Sequence, residues 1–123
     1  MKKILIVDDE VEIVRALSMR LRSVGHEVIM ANDGSMATTV AMRELPDLVI
    51  LDIGLPCGDG HTVFERLRAN LNTMLIPVIF LSARTSQVDK ARAHDAGAFA
   101  YLTKPFRSDQ LLDVVASAIG YAA

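Results

Sequence analysis

Five short, continuous runs of branched aliphatic residues punctuate the chain, at Ile4–Val7, Val28–Ala31, Leu48–Leu51, Val78–Leu81 and Ala100–Leu102. A strand with one wet face alternates apolar and polar residues, whereas a strand covered on both faces does not. Most of these runs lack alternation, so they predict strands buried on both sides. Between them the apolar period lengthens to that of a helix. Val11, Val14, Leu17 or Ser18, and Leu21 form one stripe, with Gly25 as its stop. Met36 and Val40, with the alanines around them, form a second, and Val63, Phe64 and Leu67 a third. Val88, Ala91 and Asp95 form a weak fourth, ended by Gly97. Leu111, Leu112, Val114, Val115, Ala118 and Ile119 form a strong fifth, which Ser108 is placed to cap. Strand and helix thus alternate five times. That alternation predicts an α/β fold, a (βα)5 doubly wound parallel sheet with right-handed crossovers.

A chain of 123 residues, 51% of them hydrophobic, has room for one domain over 1–123 and for a substantial core. Net charge is −2 with acids and bases interspersed, which gives no reason to expect direct nucleic-acid binding. Cys57 is the sole cysteine, so no internal disulfide can form. It reads as an incidental thiol of a reduced, cytoplasmic protein, with a redox role as the lesser alternative. Asp8 and Asp9 break the first apolar run after only a few residues, too soon for a signal core or a membrane span.

The residues with chemical potential fall at one kind of place. Asp8, Asp9 and Glu10 follow the first strand, Asp52 ends the third, Ser82 ends the fourth and Lys104 follows the fifth. In an open parallel sheet these strand ends share one edge, where ligands bind. If the strand order is 2-1-3-4-5, the first and third strands are neighbours and Asp8, Asp9 and Asp52 converge. Three carboxylates in one crevice repel one another. A hard divalent cation resolves the conflict, and few carboxylates supplemented by water and phosphate oxygens suit Mg2+. Asp52 can act as a carboxylate nucleophile and form an acyl phosphate. Lys104 can follow a phosphoryl oxygen on its flexible stem, and the Ser82 hydroxyl can donate to another. Taken singly, each of these residues is an ordinary loop or helix-end residue, and an acidic pair at a helix N-terminus is favoured by the dipole alone.

The ordered set of motifs is more specific. It comprises Ile4-Leu5-Ile6-Val7-Asp8-Asp9-Glu10, Pro46-Asp47-Leu48-Val49-Ile50-Leu51-Asp52, Leu55-Pro56, and Gly58-Asp59-Gly60. It continues with Pro77-Val78-Ile79-Phe80-Leu81-Ser82-Ala83, Gly97-Ala98 and Tyr101-Leu102-Thr103-Lys104-Pro105-Phe106. From Lys3 to about Ile119 the chain resembles the receiver domains of two-component response regulators, including the chemotaxis regulators. The resemblance implies a flavodoxin-like strand order of 2-1-3-4-5. It implies that Asp52 accepts a phosphoryl group from a partner phosphohistidine, on a sensor histidine kinase or a histidine phosphotransfer protein. Asp8, Asp9, Asp52 and the backbone carbonyl of Gly54 would hold Mg2+. Ser82 and Lys104 would contact the phosphoryl oxygens, Tyr101 would be the switch aromatic coupled to Ser82, and the Lys104-Pro105 bond would be cis. The surface formed by roughly Gln87–Ala96, Ala100–Leu102 and Ser108–Ile119 would change and meet an output domain or protein, or a second copy in a homodimer. Kinase specificity would reside around Val11–Arg22. The domain would catalyse only its own phosphorylation and dephosphorylation, and would stand alone or be part of a longer regulator.

Some positions depart from the family's habits. Ser82 often appears there as Thr. Gly54 offers no side chain to shield an acyl phosphate, while Arg84 is long and charged. His26, His61 and His94 match no phosphotransfer or metal motif and read as surface residues, and the six methionines as start, core or loop residues. Three other functions are weighed against the switch. A phosphatase of the haloacid-dehalogenase type needs a second carboxylate two residues after the nucleophile, where Gly54 stands. A flavin or nucleotide carrier wants a phosphate-cradling loop after the first strand, which Asp8-Asp9-Glu10 would repel. An unphosphorylated, receiver-like interaction module would usually lack the Asp, Ser or Lys that this chain retains.

Overall fold

Residues 2–55, 59–83 and 87–122 are described by a computed structural model. The elements follow in the order β1 (Lys3–Val7), α1 (Val11–Ser23), β2 (Glu27–Ala31), α2 (Gly34–Glu44), β3 (Leu48–Asp52), α3 (Gly60–Ala69), β4 (Val78–Ser82), α4 (Gln87–Asp95), β5 (Ala100–Thr103) and α5 (Ser108–Ala122). The strands make one parallel sheet in the order β2-β1-β3-β4-β5, as expected. Several strands run one residue past their apolar runs. Ladder pairing is indifferent to side-chain polarity, so Asp52 pairs with Leu81 and Ser82 with Thr103.

Successive strand residues feed two separate cores. Leu5, Val7, Val49, Leu51, Val78 and Phe80 pack with Ala37, Val40 and Ala41 of α2, Val63, Phe64 and Leu67 of α3, and Ala93 of α4. Ile4, Ile6, Leu48, Ile50, Ile79, Leu81 and Leu102 pack with Leu17 and Leu21 of α1 and Leu111, Val115, Ala118 and Ile119 of α5. Two helices therefore cover one face of the sheet and three the other. That explains why the strands read as unbroken apolar runs.

Helix ends follow local chemistry. Asp33 and Asp59 cap α2 and α3 by accepting from the N–H groups of Met36 and Thr62. Gly25 and Gly97, each with φ of +95°, stop α1 and α4 in the paired hydrogen-bond pattern that a left-handed residue permits. At α5 the helix begins earlier than predicted. Ser108 is already helical, and the Arg107 carbonyl accepts the first bond, from Leu111. Other expectations need correction. Met36 and Val88 lie 44% and 76% exposed, because α2 turns Ala37, Val40 and Ala41 inward and α4 turns Ala93; Ala91 and Asp95 of the predicted α4 stripe are exposed with Val88. Met19 is likewise exposed on α1. His61 is buried at 3% exposure, its ring 5.3 Å from that of Phe80, because the start of α3 packs directly onto the sheet.

Candidate functional site

Register brings the chemistry to one edge. Val7 pairs with Leu51, so Asp8 and Asp52, one residue further along their strands, stand level at the end of adjacent strands. Asp52 pairs with Leu81, which sets Ser82 one step beyond it on β4. Ser82 pairs with Thr103, and Lys104 follows at once. The Lys104 N–H donates to the Ser82 carbonyl at 2.8 Å, tying the last two positions together. The Lys104-Pro105 bond is cis, as the resemblance implied.

The side chains converge on the Lys104 ammonium. Its Nζ lies 2.8 Å from Asp8 Oδ2, 2.9 Å from Glu10 Oε1 and 3.6 Å from Asp52 Oδ2. Asp8, Asp52 and Ser82 are all buried, at 3%, 6% and 2% exposure. Asp52 Oδ1 accepts a hydrogen bond of 3.3 Å from the Gly54 N–H. Tyr101 is half-buried, its ring 6.3 Å from that of Phe80. Asp9 is exposed and stands outside this contact set.

Burial first, and then the negative charge of Asp8, push the Asp52 carboxyl above its ordinary value, against the pull of Lys104 and the Gly54 N–H. Asp9 adds a smaller push in the same direction. Burial alone would lower the Lys104 ammonium, but the carboxylates of Asp8, Glu10 and Asp52 outweigh it and hold the group above the ordinary lysine value.

The donor set suits a small hard cation. One oxygen each from Asp8, Glu10 and Asp52 lies within 4.8 Å of the others, and every donor is a carboxylate. Asp8 Oδ2 is buried and faces the Lys104 ammonium at 2.8 Å, an ion-pair contact that a metal could take over.

Three features of the site were not read from the sequence. Glu10 belongs to the cluster in space, although nothing in its sequence position sets it apart from its acidic neighbours. Gly60 is required: a Cβ there would stand 2.5 Å from the Asp52 carbonyl oxygen and 2.8 Å from Ile53 Cα. Its N–H also donates to the Ile53 carbonyl at 2.8 Å, so α3 begins against the end of β3. The third is the buried ring of His61. Beside the acid crevice a groove of about 450 Å³ opens between α1 and β2, lined among others by Asp8, Asp9, Val14, Arg15, Met19 and Met30. Cys57 and Arg84 lie outside the described residues. Among the described residues, no helix is long and apolar enough to cross a membrane.

Comparison with known proteins agrees with this geometry. The family described as response regulator receiver domain matches residues 4–116. The chain is 45% identical over 119 residues to the transcriptional regulatory protein KdpE of Mycobacterium tuberculosis, covering 97% of this chain and 51% of that one. It is 43% identical over 105 residues to the alkaline phosphatase synthesis transcriptional regulatory protein PhoP of Bacillus subtilis, covering 85% and 43%. It thus spans about half the length of these curated relatives. Among solved structures, the receiver domain of the sensor histidine kinase PA1611 from Pseudomonas aeruginosa superposes with a TM-score of 0.89. The identity is 33%, with 97% of this chain and 98% of that one covered, and that structure has a magnesium ion coordinated in its active site cleft. The chemotaxis response regulator CheY4 of Vibrio cholerae also gives 0.89, at 30% identity and coverage of 96% and 98%. By fold, by the residues gathered at one sheet edge and by sequence over nearly its whole length, this chain belongs to the response regulator receiver domains.

Proposed function

We propose that the chain is a phosphorylation-controlled switch with Asp52 as its acceptor. The observation that supports this reading most directly is the Lys104 ammonium, 2.8 Å from Asp8 and 3.6 Å from Asp52. Such a cation can meet charge developing on a group arriving at Asp52. An Asp52 oxygen attacks the phosphorus of a partner phosphohistidine. The P–O bond forms as the P–N bond breaks, and the electron pair leaves on the imidazole nitrogen, which then takes a proton. Lys104 and the Ser82 hydroxyl hold two of the equatorial oxygens. Asp8, Asp9, Asp52 and the Gly54 carbonyl are proposed to hold Mg2+, with Glu10 close enough to contribute. When bound, the ion supplies positive charge beside the transferring group.

Phosphorylation then biases an existing two-state equilibrium, for which a few kcal/mol of differential binding is enough. Ser82 and Tyr101 are the proposed relay, and α4, β5 and α5 the responding surface. Val88 and Phe99, exposed at 76% and 37%, present apolar area there for an output partner or a second copy. The donor is proposed to be a sensor histidine kinase or a histidine phosphotransfer protein docking along α1. The matched relatives include transcriptional regulators about twice this length, which makes an attached output domain and a cytoplasmic setting part of the proposal.

Intact mass after incubation with acetyl phosphate, with and without magnesium, tests the reading on wild type and Asp52→Asn. One added phosphoryl mass that needs both the metal and Asp52 is expected. No gain in a folded wild type would favour an unphosphorylated interaction module instead. A gain that persists in Asp52→Asn would mean another residue is the acceptor.

A further inference from the structure

Glu10 is the acid that least needs to be where it is. It occupies the N-cap position of α1, yet its side chain makes no capping bond. Its backbone N–H is taken by Asp8 Oδ1 at 2.9 Å, and its carbonyl accepts from the Val14 N–H at 3.1 Å. These bonds hold the Glu10 backbone at the edge of the crevice. There its carboxylate accepts a hydrogen bond of 2.9 Å from Lys104 Nζ while remaining 59% exposed. Lys104 is therefore closest to two acids that follow β1, Asp8 and Glu10. Asp52 is the most distant of its three carboxylate neighbours, at 3.6 Å.

We propose that Glu10 is a positioning residue that holds Lys104 on the β1 side of the crevice until a phosphoryl group reaches Asp52. This inference rests on the reading of Asp52 as the acceptor and adds a regulatory element to it. The acceptor needs the ammonium beside the incoming oxygens, so the Glu10 contact must break as the group arrives. Glu10, exposed and held on one side only, is the contact that can be given up. It thereby slows phosphorylation from any donor, because every donor must first draw Lys104 away.

Three variants separate this clamp from a general charge effect. Glu10→Gln keeps the shape and removes the charge. Glu10→Asp keeps the charge but is one methylene too short to hold Lys104 in the same place. Glu12→Gln makes the same charge change on an exposed neighbour whose ionic contact is Arg15, at 3.7 Å. With acetyl phosphate and saturating magnesium, Glu10→Gln and Glu10→Asp are expected to phosphorylate roughly two- to five-fold faster than wild type, the range for one half-exposed ion pair. Glu12→Gln is expected to match wild type. In the metal-free protein, the Lys104 15Nζ resonance should shift in both Glu10 variants and stay fixed in Glu12→Gln.

Equal acceleration by Glu12→Gln, or a wild-type rate in Glu10→Asp, would make the effect one of net charge and overturn the clamp alone. A slower Glu10→Gln with an unmoved Lys104 resonance would overturn it too, marking Glu10 as a supporter of the metal site. If wild type takes no phosphoryl group at all, the acceptor reading fails and the clamp with it.

Discussion

Asp52 illustrates how one residue's surroundings set both its chemistry and its cost. Its carboxyl is held above the ordinary 3.8 by burial and then by the Asp8 charge. A raised pKa means that the folded state favours the protonated acid, so ionisation costs stability. That cost is absent below 3.8, where folded and unfolded chains are both protonated, and complete once the pH passes the raised value. Asp52→Asn should therefore melt higher than wild type at pH 7 without metal, by roughly 2–6 °C, as expected for about 1 kcal/mol in a domain of this size. The gain should fade as pH falls toward 3.8, which calorimetry across a pH series would show. A gain independent of pH would mean that the charge is not its source. Magnesium should narrow the gap at pH 7, because it stabilises the wild-type site by mass action.

Among the elements, α3 matters most to the acceptor. It starts at Gly60, whose Cα approaches the backbone of Asp52 and Ile53 so closely that no side chain fits. Gly60→Ala should destabilise the domain by about 1–3 kcal/mol, the usual cost of overpacking. It should also slow phosphorylation, since relief requires α3 and the end of β3 to part. Urea unfolding and the acetyl phosphate assay read the two effects separately. The end of α2 offers the opposite case. Leu45, 51% exposed, occupies the left-handed region with φ of 47°. A side chain there costs about 1–2 kcal/mol, which glycine avoids. Leu45→Gly should stabilise by roughly 0.5–1 kcal/mol after allowing for the freer unfolded chain, measured as a shift in the urea midpoint. An unchanged or lower midpoint would show that the Leu45 side chain contributes more than its exposure suggests.

At the scale of the molecule, Phe80 joins the site to the core. Fully buried on β4, it packs its ring with those of His61, Phe64 and Tyr101. It thus touches the start of α3 and the aromatic proposed to report the state of Ser82. Phe80→Ala should cost about 3–5 kcal/mol in chemical denaturation, because a large cavity opens between packed layers. A loss below 2 kcal/mol would indicate that the neighbouring rings close over the gap. Arg68 works at the opposite edge of the sheet. Its guanidinium lies 4.5 Å from the Phe64 ring centre and donates to the carbonyls of Met74 and Ile76, both at 2.8 Å. It thereby ties the segment between α3 and β4 to the helix.

Read alone, the residues determine the strand and helix sequence, because apolar period is a local property of the chain. They place Asp8, Asp52, Ser82 and Lys104 at strand ends, and the ordered motifs carry the strand order and the cis Lys104-Pro105 bond with them. Gly25 and Gly97 are legible as helix stops for the same local reason: each needs a backbone angle that other residues resist. The burial of His61, the exposure of Met36 and Val88, and the requirement for Gly60 are not legible. Each depends on how closely a helix packs on the sheet, which no short stretch of sequence encodes. Glu10 shows the limit most clearly. Sequence puts it beside Asp9 as an equal, but Asp9 is exposed and outside the cluster while Glu10 joins Lys104. Only the tertiary structure decides between them, because Lys104 reaches the crevice from β5, 94 residues away along the chain.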